Sequence, residues 1–150
     1  MSAEPGLIDA NIIIYAMDSR AATHVPCRVL LEAAHEAGTT LYVTSQILCE
    51  FYSVVTNPRR VAVPRSPAEA LSVMSNLLAL PGIHLLPTPA SAVAGWMALL
   101  ERRPVRGSDV FDLQIVATMQ ANGVQRIYTF NTKDFDMFPE LIVIAPGQIS

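Results

Sequence analysis

The sequence has little cysteine, little lysine, little charge and no long apolar run. Its two cysteines, Cys27 and Cys49, lie in apolar-periodic segments with no CxxC spacing and no companion histidines. That excludes a disulfide framework or a zinc cluster and predicts reduced core thiols. No stretch approaches the roughly 18 to 20 uninterrupted apolar residues of a membrane span, and Met1-Ser2-Ala3-Glu4-Pro5 lacks the basic start of a secretion signal. A cytoplasmic protein is expected. Charged residues make up only 15% and the net charge is −3, so the overall field is not that of a polycation which binds nucleic acid indiscriminately. There is no glycine-rich phosphate loop, no GxGxxG and no nucleophile elbow around Ser45, Ser108 or Cys49. His24, His35 and His84 share no spacing, so none is supported as a general base and each reads as a surface or edge residue.

What is abundant is apolar surface. At 51% hydrophobic residues and a mean hydropathy of +0.36, the chain has more than a core of this size consumes, which predicts a homo-oligomer or partner interface. Trp96, with Met97, Leu99 and Leu100, belongs to the core or to that interface. The 150 residues are about the size of one domain, with no internal repeat, low-complexity tract or linker, so residues 1–150 read as a single unit. Nine of the ten basic residues are arginine, the better bidentate partner for phosphate, and two clusters stand out, Arg59/Arg60/Arg65 and Arg102/Arg103/Arg106. At this net charge any nucleic-acid contact must rely on such local patches.

Short β-rich runs alternate with longer helical periods. Strands are predicted at 6–9, 40–44, 83–86, 126–130 and 141–144; helices at 11–17, 24–37, 45–56, 66–80, 89–103 and from a cap at Ser108 or Asp109 to Asn122-Gly123. Residues 132–138 read as a loop or single turn. Strands of four or five residues separated by helices of ten or more predict an α/β sandwich with a mainly parallel sheet. In such sheets functional groups gather outside the carboxyl ends of the strands.

The acids fall at that edge. Asp9 ends the first strand inside the apolar run Leu7-Ile8-Asp9-Ala10-Asn11-Ile12-Ile13-Ile14-Tyr15, where an unpaired carboxylate costs several kcal/mol to bury. Glu50 shares a helical row with Ile47 and Val54, and Asp112 shares one with Ile115, Val116 and Met119. Asp109 precedes Asp112, while Asn131 and Asp134 follow the fourth strand. Each has a bland reading: a cap for Asp9, a solvated border position for Glu50, a capping box for Asp109 with Asp112. Taken together, carboxylates at matching strand ends repel one another unless a hard cation such as Mg²⁺ joins them.

The stretches Leu-Ile-Asp-Ala-Asn, Ser-Gln-Ile-Leu-Cys-Glu-Phe, Phe-Asp-Leu-Gln-Ile-Val-Ala-Thr-Met and Tyr-Thr-Phe-Asn-Thr-Lys-Asp-Phe resemble, in order and over nearly the whole chain, the four motifs of PIN-domain ribonucleases, nearest to VapC toxins of toxin–antitoxin pairs. The resemblance implies a three-layer α/β/α sandwich and an endoribonuclease dependent on Mg²⁺ or Mn²⁺. Asp9, Glu50 and Asp112 would match the family's three acids, Asn131 its variable fourth position, and Asp134 the adjacent Asp-Phe element. An uncharged amide at the fourth position implies one metal held more firmly than two. Asp109 is left as a cap or outer-shell acid, and Asn11 as a residue that sets the turn by bonding Asp9 or another site residue. The resemblance also implies a homodimer and a cognate antitoxin. Arg59, Arg60 and Arg106 are the candidates to hold an RNA backbone. Two other readings stay open: a non-catalytic interaction module of the same fold, and a DNA-directed nuclease.

Overall fold

A computed structural model describes residues 3–147; residues 1–2 and 148–150 lie outside it. Five strands make one sheet among the described residues: β1 (Gly6–Ile8), β2 (Leu41–Thr44), β3 (Ile83–Leu86), β4 (Arg126–Tyr128) and β5 (Ile142–Ile144). Their spatial order is β3-β2-β1-β4-β5, and every pairing is parallel. The chain winds outward from β1 to β3, returns past β1 to β4 and winds outward the other way. With right-handed crossovers this reversal places the helices before it and those after it on opposite faces. α1 (Ala10–Met17), α2 (His24–Glu32), α3 (Ser45–Val55) and α4 (Pro67–Leu78) form the first side, where α1 packs on both α2 and α3 and α3 packs on α4. On the other, α5 (Ser91–Arg102) packs on α6 (Val110–Ala121), followed by the single turn α7 (Thr132–Phe135). The result is a parallel α/β protein with helices flanking the sheet.

Local chemistry explains the boundaries. Ser66 and Glu69 form a reciprocal capping box ahead of Pro67, which starts α4 where a serine before proline predicts it. Thr44 ends β2 and its hydroxyl accepts from the Ile47 N–H at 3.1 Å, so strand passes to helix without a loop. Gly6 sits where a Cβ would lie 2.9 Å from the Tyr128 ring, so β1 and β4 can pair only over a glycine.

Several elements are shorter than their patterns suggest. β4 stops at Tyr128 instead of Phe130 because the Phe130 N–H is taken by the Asn11 side-chain oxygen at 3.3 Å and leaves the ladder. α2 stops at Glu32 instead of Ala37, and residues 33–35 tighten to a 3₁₀ turn whose Ala34 carbonyl accepts from the Gly82 N–H at 2.7 Å. The expected cap at Ser108 or Asp109 is not made. Residues 107–109 form a 3₁₀ turn, Asp109 has helical φ and ψ of −64° and −19°, and its side chain bonds no helix N–H. Cap geometry needs an extended residue at that point.

The core runs through the sheet on both faces. Leu7, Ile8, Ile12, Leu41, Val43 and Ile127 are fully buried, and Ile115, Val116 and Met119 bury the α6 row that also carries Asp112. Cys27 is a buried thiol, as expected, and burial pushes it up to about 11. Cys49 is not a core residue: it is exposed. Two residues past the buried Ile47, it points roughly 200° around α3 from the apolar row.

Candidate active site

The site forms where the winding direction reverses, outside the carboxyl ends of β1 and β4. Because Ile8 pairs with Tyr128, the next residues, Asp9 and Thr129, face each other across the switch point. The Asp9 N–H donates to the Tyr128 carbonyl at 3.0 Å. Its side chain is nearly buried, at 5% exposure. One carboxylate oxygen accepts from the Ala10 N–H at 2.8 Å, so Asp9 does cap α1; the other accepts from the Thr129 hydroxyl at 2.8 Å.

Thr129, which the motifs do not single out, joins these groups. Its fully buried hydroxyl donates to Asp9 and accepts from the Asn11 amide at 3.3 Å and the Asn131 N–H at 3.0 Å. Asn11 therefore sets the turn through Thr129 and the Phe130 backbone, not by bonding Asp9. Thr129→Val keeps the shape and deletes the hub, leaving one carboxylate oxygen and two amide donors without their shared partner. The expected loss is about 1–3 kcal/mol of stability in urea denaturation. An unchanged midpoint would mean that water replaces the hydroxyl without cost.

Glu50, half-buried on α3, lines a cleft of about 480 Å³ with Asp9, Asn11, Arg60, Phe111 and Asn131. The Gln46 amide donates to Glu50 at 3.0 Å and to the Phe111 carbonyl at 2.9 Å, tying α3 to the first turn of α6. Asp112 is the residue after that carbonyl. Asp134 lies in the first turn of α7, where its charge acts on both Asp9 and Asp112. Asp109 also acts on Asp112 from the preceding turn. Arg59 and Arg106 are exposed and do not line the cleft; of the predicted arginines only Arg60 does. Arg103, in the second cluster, instead stacks over the Phe138 ring at 5.8 Å.

These acids strain one another. Burial raises Asp9 above the ordinary carboxylate range against the hydrogen bonds from Thr129 and Ala10, and Asp134 adds to the rise. Burial also raises Glu50, opposed by Gln46 and reinforced by Asp9. Asp112 is pushed up to about 7 by burial first, then by Asp134, Asp9, Glu50 and Asp109. Among the described residues no basic side chain forms an ion pair with any of them. A donor set of carboxylates alone suits a hard dication. As the side chains stand, no three Asp, Glu, His or Cys among the described residues converge closely enough to hold an ion by themselves. That is compatible with Mg²⁺, which binds through one or two carboxylates and fills its shell with water and substrate phosphate.

Fold and site together define a parallel α/β protein with an acidic cleft at the switch point of its sheet. The PIN domain family model matches residues 6–141. Over 113 residues the chain is 30% identical to a VapC ribonuclease of Mycobacterium bovis and to ribonuclease VapC43 of Mycobacterium tuberculosis, covering 73% of this chain and 75% of each relative. The chain belongs to the PIN domain family, among its VapC members.

Solved structures with the same fold include VapC20 of Mycobacterium tuberculosis, described as a sarcin-ricin loop cleaving toxin, at TM-score 0.68 and 15% identity over 93% of this chain and 98% of that one. VapBC2 from Rickettsia felis, bound to a DNA fragment from their promoter, matches at TM-score 0.63 and 18% identity over 94% and 98%. A toxin–antitoxin complex from Klebsiella pneumoniae matches at TM-score 0.62 and 20% identity over 96% and 99%. At these identities the likeness speaks for the fold.

Proposed function

We propose that this chain is an endoribonuclease dependent on Mg²⁺ or Mn²⁺, the toxin of a toxin–antitoxin pair. The observation that carries the reading is the group of mutually repelling carboxylates at the switch point, none of which forms an ion pair with a basic side chain among the described residues. Asp9, Glu50 and Asp112 would supply the ligands, one or two of them directly and the rest through water, with Asn131 and Asp134 as further polar groups of the site. When bound, the ion supplies positive charge and Lewis acidity opposite the scissile phosphodiester. Asp9 is held in place by Thr129 and the start of α1. Glu50, oriented by Gln46, and Asp134 are the carboxylates available to orient the attacking water and take its proton. Arg60 holds backbone phosphate at the cleft wall, and Arg59 and Arg106 extend that contact over the exposed surface.

The relatives' names support the ribonuclease and antitoxin assignments. A homodimer would cover some of the apolar surface left exposed, including Val93 and Met97 one turn apart on α5. No described helix is long and apolar enough to cross a membrane, and we place the protein in the cytoplasm.

Single-stranded RNA incubated with the purified chain should be cut when Mg²⁺ or Mn²⁺ is added and stay intact with a chelator, while a DNA strand of the same sequence survives. Cleavage of the DNA would favour a DNA nuclease. Neither cleavage nor thermal stabilisation by the ions would favour a non-catalytic module.

A further inference from the structure

The acidic cleft opens into a second one of about 420 Å³. Asn11, Ile14, Val54, Arg60 and Asn131 line both, so the two form a continuous groove. The chemistry changes along it. Beyond Arg60 the floor is aromatic and aliphatic: Tyr15, half-buried and edge-on to the Phe130 ring at 5.6 Å, with Val61 and Val63. Val63 is 66% exposed, so its side chain is open to a ligand in the cleft. The rim carries three guanidinium groups, Arg20 from the turn after α1 and Arg60 and Arg65 from the connection between α3 and α4. Arg20 faces Asp18 at 3.7 Å and Arg65 faces Glu69 at 3.7 Å. Arg60, at the junction of the clefts, has no carboxylate partner among the described residues.

We infer that this second cleft receives the nucleotide next to the scissile bond, its base against Tyr15 and Val63 and its phosphate against Arg60. The inference deepens the ribonuclease reading and rests on it. An apolar, aromatic floor bounded by arginine suits a nucleotide, which is a flat π-face joined to an anion. A base can reach the floor only by leaving its stack, and in a duplex it stays inside the helix. Continuity with the acids fixes the order: phosphodiester at the carboxylates, neighbouring base beyond Arg60. A peptide could also lie in a groove of this size, but the unpaired guanidinium and the path into the acidic cleft favour nucleic acid.

The test separates binding from cleavage. On an Asp9→Asn background, a labelled single-stranded RNA and the same sequence as a duplex are titrated against the parent, Val63→Glu, which puts a carboxylate on the apolar floor, and Arg20→Glu, which reverses a rim charge at a 71% exposed side chain. Each variant should weaken single-strand binding about tenfold, and Arg20→Glu should also lower the salt slope by about one. With Asp9 restored, KM should rise by a similar factor while kcat holds, and circular dichroism checks that both variants fold. Folded variants that bind as the parent does would overturn the inference while leaving the ribonuclease reading intact. So would a duplex bound and cut as well as the single strand, or a Val63→Glu defect confined to antitoxin binding. A parent that cuts no RNA, yet binds single strands through this cleft, would remove the ribonuclease reading and keep the nucleotide cleft.

Discussion

Asp9→Asn should abolish divalent-dependent RNA cleavage, by at least about a thousandfold, or about 4 kcal/mol of transition-state stabilisation, without unfolding the protein. The amide oxygen can still accept from the Ala10 N–H, so the start of α1 survives. What is lost is the charge. Burial raises Asp9 more than its two hydrogen bonds lower it, so the ionised side chain is a net liability to the metal-free fold at neutral pH. Removing that charge should leave the metal-free thermal midpoint no lower than the parent's, despite the altered bond to Thr129. The ion-induced rise in midpoint should shrink at the same time. The paired readout is decisive: a variant that loses cleavage because it unfolds shows a lower midpoint, whereas one that loses a ligand does not. Residual activity above about a tenth of the parent's would remove Asp9 from the site.

The burial cost that makes Asp9 testable also made it legible. A carboxylate in an apolar run needs a partner whatever the fold, and short β-rich runs between helical periods point to a parallel sheet that gathers such partners at one edge. Glu50 and Asp112 followed from helical spacing, because each breaks a row whose other members are apolar. Thr129 did not show itself for the opposite reason. Threonine in a β-rich run is unremarkable, and its role arises only because pairing of β1 with β4 sets it opposite a residue 120 positions earlier. Gln46 is similar: its bond to the Phe111 carbonyl spans 65 residues and depends on how α3 approaches α6. Helical spacing that puts Ile47 inside puts Cys49, two residues on, outside, against what its residue type suggests. At Asp109 residue type suggested a cap, and the backbone, already helical at that point, rules it out. Contacts fixed by periodicity can be read along the chain. Those fixed by strand order and helix approach cannot.

The charge crowding at Asp112 leads to the second large effect, a metal affinity that depends steeply on pH. Asp112 is pushed from 3.8 up to about 7 by burial and by four neighbouring carboxylates. Protonated Asp112 favours the folded state, so that contribution is complete below its unfolded value and is lost as pH rises through about 7. The metal-free protein should therefore be more stable at pH 6 than at pH 8. A dication needs the carboxylate, so at pH 6 it must first displace the proton and at pH 8 it need not. Titrating Mn²⁺ by thermal shift should give an apparent affinity about tenfold weaker at pH 6 than at pH 8, the factor expected for one competing proton with a pKa near 7. Asp112→Asn should flatten this dependence, raise the metal-free midpoint at pH 8 and weaken binding at both pH values. Equal affinities at pH 6 and 8 in the parent would mean that the ion does not bind through Asp112. The crowding around it would then serve only to keep the side chain neutral, and the ligands would have to be sought among Asp9, Glu50 and Asp134.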